Sequence, residues 1–222
     1  MATVRYLVKN VEAALLCAAS PLYAQGRAIL WSGRRSAAAA LCIGLQAGAA
    51  SAADTVELSR LATRCAVCHS AATQATSPLL EGQPEAYFIA QMRAFRERRR
   101  TNPPMVAFAN ELNDQDVSAL ASYYAAREPP QVDPLAGPAQ IEAGRSKADA
   151  LRCAQCHGAA LQGSRSGAAR LAGQKPRYTA WTLQMMRAGA RTHGAARDPL
   201  LSDLSNDEIE ELAAWFASLP PR

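Results

Sequence analysis

The chain has 222 residues, of which 49% are hydrophobic and 6% are aromatic, and its formal net charge is +5. This composition is typical of a globular protein and excludes an intrinsically disordered chain, which would contain far fewer apolar residues. Five basic residues but only one acidic residue lie in the first 52 positions, so the net charge belongs mainly to that segment.

Residues 1–53 are predicted to be a secretory signal. Their basic residues precede the uncharged run SAAAALCIGLQAGAASAA, which contains the small-residue pattern Ala50-Ser51-Ala52 near its end. Such a sequence favours cleavage near Ala53 or Asp54 and export by the general secretory route. A retained membrane anchor is the alternative, but the run is short and is interrupted by glycine and glutamine. The segment is longer than a signal requires, which suggests a translation start further inside it.

Removal of this signal leaves 19 basic and 18 acidic residues, so the mature chain is nearly neutral. A protein that binds nucleic acid needs a basic face, and we therefore expect no nucleic-acid partner. Two of the six cysteines, Cys17 and Cys42, lie in the signal. The other four all belong to one repeated pattern.

This pattern is RCAVCH at 64–69 and RCAQCH at 152–157. A redox-active dithiol or a zinc site would use the cysteines, but neither explains a histidine directly after the second cysteine. Covalent c-type haem uses every residue, because the two thiols bond to the porphyrin and the imidazole binds the iron. The sequence therefore predicts two covalently bound haems. Their expected attachment residues are Cys65, Cys68 and His69 for haem 1, and Cys153, Cys156 and His157 for haem 2.

Each pattern begins one copy of an internal repeat of about eighty residues. PLLEGQPEAYF at 78–88 matches ARLAGQKPRYT at 169–179, and the copies end in the similar segments ELNDQDVSALASYYA and DLSNDEIEELAAWFA. A proline-rich stretch separates the copies and is typical of a linker. We expect a first domain at 54–128, a linker at 129–138 and a second domain at 139–222.

Each copy contains three predicted helices and no convincing strand pattern. The first helices are DTVELSRLATRC and AQIEAGRSKADALRC, and the middle helices are PEAYFIAQMRAFRERR and PRYTAWTLQMMRAGAR. The closing helices carry apolar residues at helical spacing and begin at capping pairs, Asn113 with Asp116 and Ser205 with Glu208. The fold is predicted to be all-α, with a small helical domain around each haem.

These features together resemble the dihaem class I cytochromes c of the cytochrome c4 type over essentially the whole mature chain. The resemblance implies two tandem cytochrome c domains and a periplasmic electron carrier, at most peripheral to the membrane, without catalytic residues of its own. The implied donor is a quinol-oxidising complex or a dehydrogenase, and the implied acceptor is a terminal oxidase or a reductase. Two alternatives stay open: an electron-transfer subunit bound to a dehydrogenase, and a haem protein with an exchangeable ligand on haem 2.

The resemblance also implies two further residues at haem 1. Met105 stands where this family has its axial methionine, 36 residues after His69, and Pro103-Pro104 is expected to hold the loop extended. Met92 is the competing thioether, but it belongs to the predicted helical stripe. Pro78 resembles the residue whose carbonyl accepts the second N–H of the proximal imidazole.

The second copy departs from this pattern, because no methionine follows Met186. The one histidine outside the two haem patterns is His193, which lies 36 residues after His157. Three outcomes stay open: His193 binds the iron of haem 2, Met185 or Met186 turns inward, or the site stays open to a small ligand. Each outcome predicts two unequal reduction potentials.

The run RAFRERRR at 93–100 is the one dense cluster of charge. Such runs are usually solvated surface. The alternative is that Arg96, Arg98, Arg99 and Arg100 neutralise haem propionates or attract an acidic partner.

Overall fold

The computed structural model describes residues 52–73, 76–193 and 199–220. The predicted signal segment lies outside these ranges apart from its last residues. The regular elements of the described residues are helices, which confirms the all-α prediction. They are α1 (Ala52–His69), α2 (Glu85–Arg96), α3 (Pro103–Glu111), α4 (Asp114–Ala125), α5 (Pro138–Ala150), α6 (Ala154–His157), α7 (Pro176–Arg187), α8 (Pro199–Ser202) and α9 (Asn206–Ser218). None of these helices is long and apolar enough to cross a membrane.

Two separate clusters of buried apolar side chains form the core. The first cluster draws on α1, α2, α3 and α4, and it includes Phe88, Phe95 and Leu120. The second draws on α5, α7, α8 and α9, and it includes Ile209 and Leu212 among its most deeply buried members. Each copy of the sequence repeat therefore buries its own apolar faces.

The two closing helices, α4 and α9, begin at the predicted caps. The Asn113 side chain accepts from the Asp116 backbone N–H at 2.8 Å, and the Asp116 carboxylate accepts from the Asn113 N–H at 3.1 Å. Ser205 and Glu208 make the same reciprocal pair at 3.1 and 2.8 Å. These exchanges satisfy backbone donors that the first turn of a helix cannot pair internally.

The expectation that Pro103-Pro104 holds an extended loop is wrong. Helix α3 begins at Pro103, so the two prolines occupy its first turn and Met105 lies on the helix. Proline fits the first helical turn because its fixed φ is already helical and its missing N–H would have no partner there.

The predicted first helix of the second copy is also too long. In the first copy α1 continues without a break to His69, whereas α5 ends at Ala150 and the second haem pattern lies on the short helix α6. Arg152, the first residue of the pattern, adopts a left-handed conformation with φ of 56°, which interrupts the helix directly before Cys153. The two motifs are therefore alike in sequence but differ in their backbone.

Helices α5 and α9 cross in close contact at Gly144. A Cβ atom on Gly144 would lie 2.0 Å from the backbone oxygen of Glu211 and 2.9 Å from Cβ of Trp215. Backbone cannot yield as a flexible side chain can, so the crossing requires glycine.

We predict that Gly144→Ala lowers the free energy of unfolding of the haem-loaded protein, because α5 must move away from α9. The expected net loss is about 1–3 kcal/mol, which exceeds the helix propensity that alanine gains over glycine. Chemical denaturation followed by far-ultraviolet circular dichroism measures it. Ser146→Ala on the exposed face of α5 is the control. Equal stability of the two variants would contradict this account of the crossing.

Candidate haem-binding sites

The first site is built around His69, the last residue of α1. Its imidazole is 8% exposed, and its Nδ1 lies 2.8 Å from the carbonyl oxygen of Pro78. A carbonyl can only accept, so Nδ1 carries the proton and donates it. Nε2 is then the nitrogen with a lone pair, which is the form that binds a metal.

The second site repeats this arrangement with a different side chain. His157 Nδ1 lies 2.7 Å from the carbonyl oxygen of Ala169, the residue that aligns with Pro78. The partner is a backbone atom in both sites, so the exchange of proline for alanine leaves the hydrogen bond in place.

Both imidazoles are held in the neutral state. Burial lowers the pKa of His69, the hydrogen bond to Pro78 partly opposes this effect, and the charge of Lys175 lowers the pKa further. Burial likewise lowers the pKa of His157, against the hydrogen bond to Ala169. A metal ligand must be unprotonated, so this environment suits iron binding.

The four cysteines of the haem patterns form no disulfide with one another. Cys65 and Cys153 are partly buried, and each packs against the apolar cluster of its own copy. Burial raises the pKa of the Cys65 thiol and keeps it protonated. Cys156 is exposed. The four thiols are therefore available for thioether bonds, and the donor set of each site fits a covalent haem.

Met105 and Met92 have different environments in the first copy. Met105 is partly buried and packs against the first apolar cluster, as does Cys65. Met92 is 5% exposed and is a member of that cluster. Met92 therefore has a packing role, whereas Met105 lies at the margin of the core.

In the second copy the structure brings His193 next to His157. Their ring centroids are 5.9 Å apart and the ring planes differ by 10°. Two metal–imidazole bonds of about 2 Å each would place the ring centres roughly 6 Å apart. The centroid separation is therefore the one expected of two imidazoles bound to a single metal ion.

Of the two helix methionines of the second copy, Met186 has a packing role. Met186 packs against the second apolar cluster, and it aligns with Phe95, which is a core residue of the first cluster. Met185 is partly buried on the same helix.

The structure separates the residues of the arginine run. Arg96 donates to the carbonyl oxygens of Ala109 and Leu112 and pairs with Asp114, so it ties α2 to the start of α4. Its counterpart Arg187 donates to Leu204 and Asn206 in the second copy. Arg98 and Arg99 are exposed.

Arg100 instead enters a partly buried cluster between the two copies, together with its counterpart Arg191. Arg191 donates to the hydroxyl oxygens of Tyr87 at 3.0 Å and Tyr178 at 3.2 Å, and to Oγ1 of Thr182 at 3.1 Å. The sequence analysis missed this cluster, although Tyr87 and Tyr178 are matched positions of the repeat.

The cluster brings two guanidinium groups, those of Arg100 and Arg191, together in a partly buried environment. Burial raises the pKa of Tyr178, but the guanidiniums of Arg191 and Arg100 outweigh burial and lower it to about 8. Burial lowers the pKa of Arg100, and the charge of Arg191 lowers it further. Buried cations need an anionic partner, and the propionates of a haem are anions of this kind.

Comparisons with known proteins identify several proteins that the chain is similar to. No protein-family model matches the chain. It is 32% identical over 171 residues to cytochrome c4 of Thiocapsa roseopersicina, covering 70% of this chain and 86% of that protein. It is 29% identical over 182 residues to the thiosulfate dehydrogenase electron acceptor of Thiomonas intermedia (strain K12), covering 72% and 80%. The crystal structure of reduced recombinant cytochrome c4 from Pseudomonas stutzeri matches with a TM-score of 0.64 at 25% identity, over 74% of this chain and 97% of that one.

We predict that Arg191→Met destabilises the haem-loaded protein, because the hydroxyls of Tyr87 and Tyr178 lose their charged donor. The expected decrease in the free energy of unfolding is about 2–3 kcal/mol, measured by chemical denaturation. Arg177→Met, at an exposed position on helix α7 next to Tyr178, is the control and should change stability little. Indistinguishable stabilities would show that the cluster does not hold the copies together.

Proposed function

Because the chain belongs to the cytochrome c4 family, we propose that it is a periplasmic dihaem protein that carries single electrons between a donor and an acceptor. The observation that carries this function is the pair of complete haem patterns. In each pattern the histidine Nδ1–H donates to a backbone carbonyl. The proposed domains are 54–128 and 139–222, joined by the linker 129–138. The two separate apolar clusters support this division.

The haems are held by residues of both repeats. A bound haem supplies an iron that alternates between the ferric and ferrous states and so stores one electron. The thiols fix its edge, and the hydrogen bond to each imidazole fixes the ring orientation and raises its basicity. The attachment residues are Cys65, Cys68 and His69 for haem 1 and Cys153, Cys156 and His157 for haem 2.

The sixth ligands differ between the two haems. Met105 is the ligand of haem 1, supported by its partly buried position at the margin of the first core. His193 is the ligand of haem 2, supported by the parallel alignment of its ring with that of His157. A thioether favours the reduced iron more than a second imidazole does, so haem 1 has the higher potential.

Arg100 and Arg191 neutralise haem propionates at the contact between the copies. Their partly buried position among neutral oxygens supports this role. Arg96 is not proposed as a propionate partner, because its guanidinium already binds two backbone carbonyls and Asp114.

The physiological partners are redox proteins. A quinol-oxidising complex or a dehydrogenase is the proposed donor, and an oxidase or a reductase is the proposed acceptor. The similarity to a thiosulfate dehydrogenase electron acceptor favours a second candidate function, in which the chain is the electron-transfer subunit of a dehydrogenase for a sulfur compound. Purification from the native periplasm separates the two, because a free carrier is recovered alone and a subunit is recovered with its dehydrogenase.

Mass spectrometry of the exported protein tests the proposed function. We expect the mature chain, beginning near Ala53 or Asp54, plus the mass of two haems, because each haem pattern is complete. The double variant Cys153→Ser with Cys156→Ser should carry one haem. A wild-type protein with one haem or none would refute the dihaem function.

Replacing Met105 tests the ligand of haem 1. Met105→Leu should abolish the near-infrared band of a thioether–iron bond and lower one potential by on the order of 0.1 V, within the ~0.8 V range that axial ligands span. Met92→Leu is the matched control, because it changes a thioether that only packs. An unchanged band in Met105→Leu, or a band lost in Met92→Leu, would contradict the assignment.

Replacing His193 tests the ligand of haem 2. The oxidised wild-type protein should show one bis-histidine and one histidine–methionine low-spin signal in low-temperature electron paramagnetic resonance. His193→Ala should lose the bis-histidine signal, and Thr192→Ala should keep it. Two histidine–methionine signals in the wild type would rule out His193, and a high-spin signal would indicate an open site.

A further inference from the structure

The Gly-Gln pair of each copy forms the same tight turn. Gln83 N–H donates to Leu80 O at 3.2 Å, and Gln174 N–H donates to Leu171 O at 3.1 Å. The intervening Gly82 and Gly173 both have φ of 69°, a conformation that favours glycine. The glycine N–H donates to the closing helix in each copy, to Tyr124 O and to Phe216 O, both at 2.8 Å.

Each turn directs its glutamine side chain to the opposite copy. Gln174 Oε1 accepts from Leu79 N–H at 2.8 Å, and Gln174 Nε2 donates to Leu79 O at 3.1 Å. Gln83 Oε1 accepts from Arg170 N–H at 3.1 Å, and Gln83 Nε2 donates to Arg170 O at 3.0 Å. Both glutamines are 6% exposed, so the four hydrogen bonds are shielded from water.

Leu79 and Arg170, the partners of these bonds, lie next to the residues that contact the proximal histidines. Leu79 directly follows Pro78, and Arg170 directly follows Ala169. The carbonyl oxygens of Pro78 and Ala169 are the acceptors for the proximal imidazoles. The N–H of Leu79 and the carbonyl of Pro78 belong to one peptide group, as do those of Arg170 and Ala169. Each glutamine therefore fixes the peptide group whose carbonyl orients the histidine of the other copy.

We propose that Gln83 and Gln174 are crossed positioning residues: Gln174 orients His69 at haem 1, and Gln83 orients His157 at haem 2. This inference rests on the proposed function, because the two imidazoles tune an electron carrier only as iron ligands. Loss of a glutamine frees the adjacent carbonyl, weakens the hydrogen bond from Nδ1 and makes that imidazole less basic. A less basic ligand favours the reduced state of the iron to which it binds.

The experiment uses the intact haem-loaded protein in its reduced form, labelled with nitrogen-15 histidine. The chain contains three histidines, so the Nδ1–H signals can be assigned individually. In Gln174→Met, which keeps the side-chain length but removes both hydrogen bonds, the Nδ1–H of His69 should exchange with water about tenfold faster. That of His157 should not change. Gln83→Met should give the reverse pattern and is the matched control.

A redox titration of the same variants gives a second readout. At a fixed ambient potential, Gln174→Met should raise the reduced-to-oxidised ratio of haem 1 about threefold and leave haem 2 unchanged. Gln174→Glu keeps the acceptor for Leu79 N–H but has no donor for Leu79 O. The reduced-to-oxidised ratio of haem 1 in this variant should therefore lie between those of the wild type and Gln174→Met. If the methionine variants do not fold, the glutamate variants at both positions are compared in the same way.

The crossed pattern is decisive. If each variant affects the haem of its own copy, if both variants affect both haems equally, or if neither has an effect, the proposal is overturned. A merely structural contact loosens the whole interface and predicts the second of these results. The haem content of the wild-type sample tests the proposed function separately, since fewer than two haems would refute that function whatever the exchange rates show.

Discussion

The hydrogen bond between each proximal imidazole and a backbone carbonyl is the constraint on which the rest of each half depends. It fixes the tautomer of His69 and of His157 and leaves Nε2 with its lone pair. The carbonyl belongs to the loop that follows the haem motif, so this loop must fold back onto the histidine in one defined conformation. The glycine turn and the capped closing helix hold that conformation, because the turn donates to the last part of the closing helix. Each copy is therefore organised around the position of one peptide oxygen.

The contact between the copies makes the two haem sites interdependent. The described residues of both copies belong to one compact unit, and the contact between the copies pairs amide, hydroxyl and guanidinium groups that would lose their partners if the copies separated. Such a contact holds two haems at a constant separation, which suits transfer of an electron between them. The contact is not symmetric, because Lys175 donates to the carbonyls of Ser70 and Thr73 in the first copy, whereas Pro84 aligns with Lys175. A positive charge is thus placed beside the loop that follows His69 only.

The features that sequence predicts well are those set by short-range chemistry. The spacing of cysteine and histidine names the cofactor, and the caps at Asn113 and Ser205 follow from reciprocal hydrogen bonds within one turn. The conformation of Pro103-Pro104 was not predictable, because the φ angle of proline fits both an extended strand and the first turn of a helix. The crossed contacts of the glutamines were not predictable either. They depend on how two distant surfaces meet, and the one signal in the sequence was that Gln83 and Gln174 occupy matched positions of the repeat.

We propose that two haems with unequal ligands lie in one chain and pass single electrons in a preferred direction. A spectroelectrochemical titration of the haem-loaded protein, with the optical spectrum recorded at each potential, tests it most directly. We expect the two haems to titrate in two resolved one-electron steps. The thioether–iron band should change only in the step at higher potential. A separation of about 59 mV already corresponds to a tenfold preference for one haem. A single transition in which both haems titrate together with identical spectra would contradict the account.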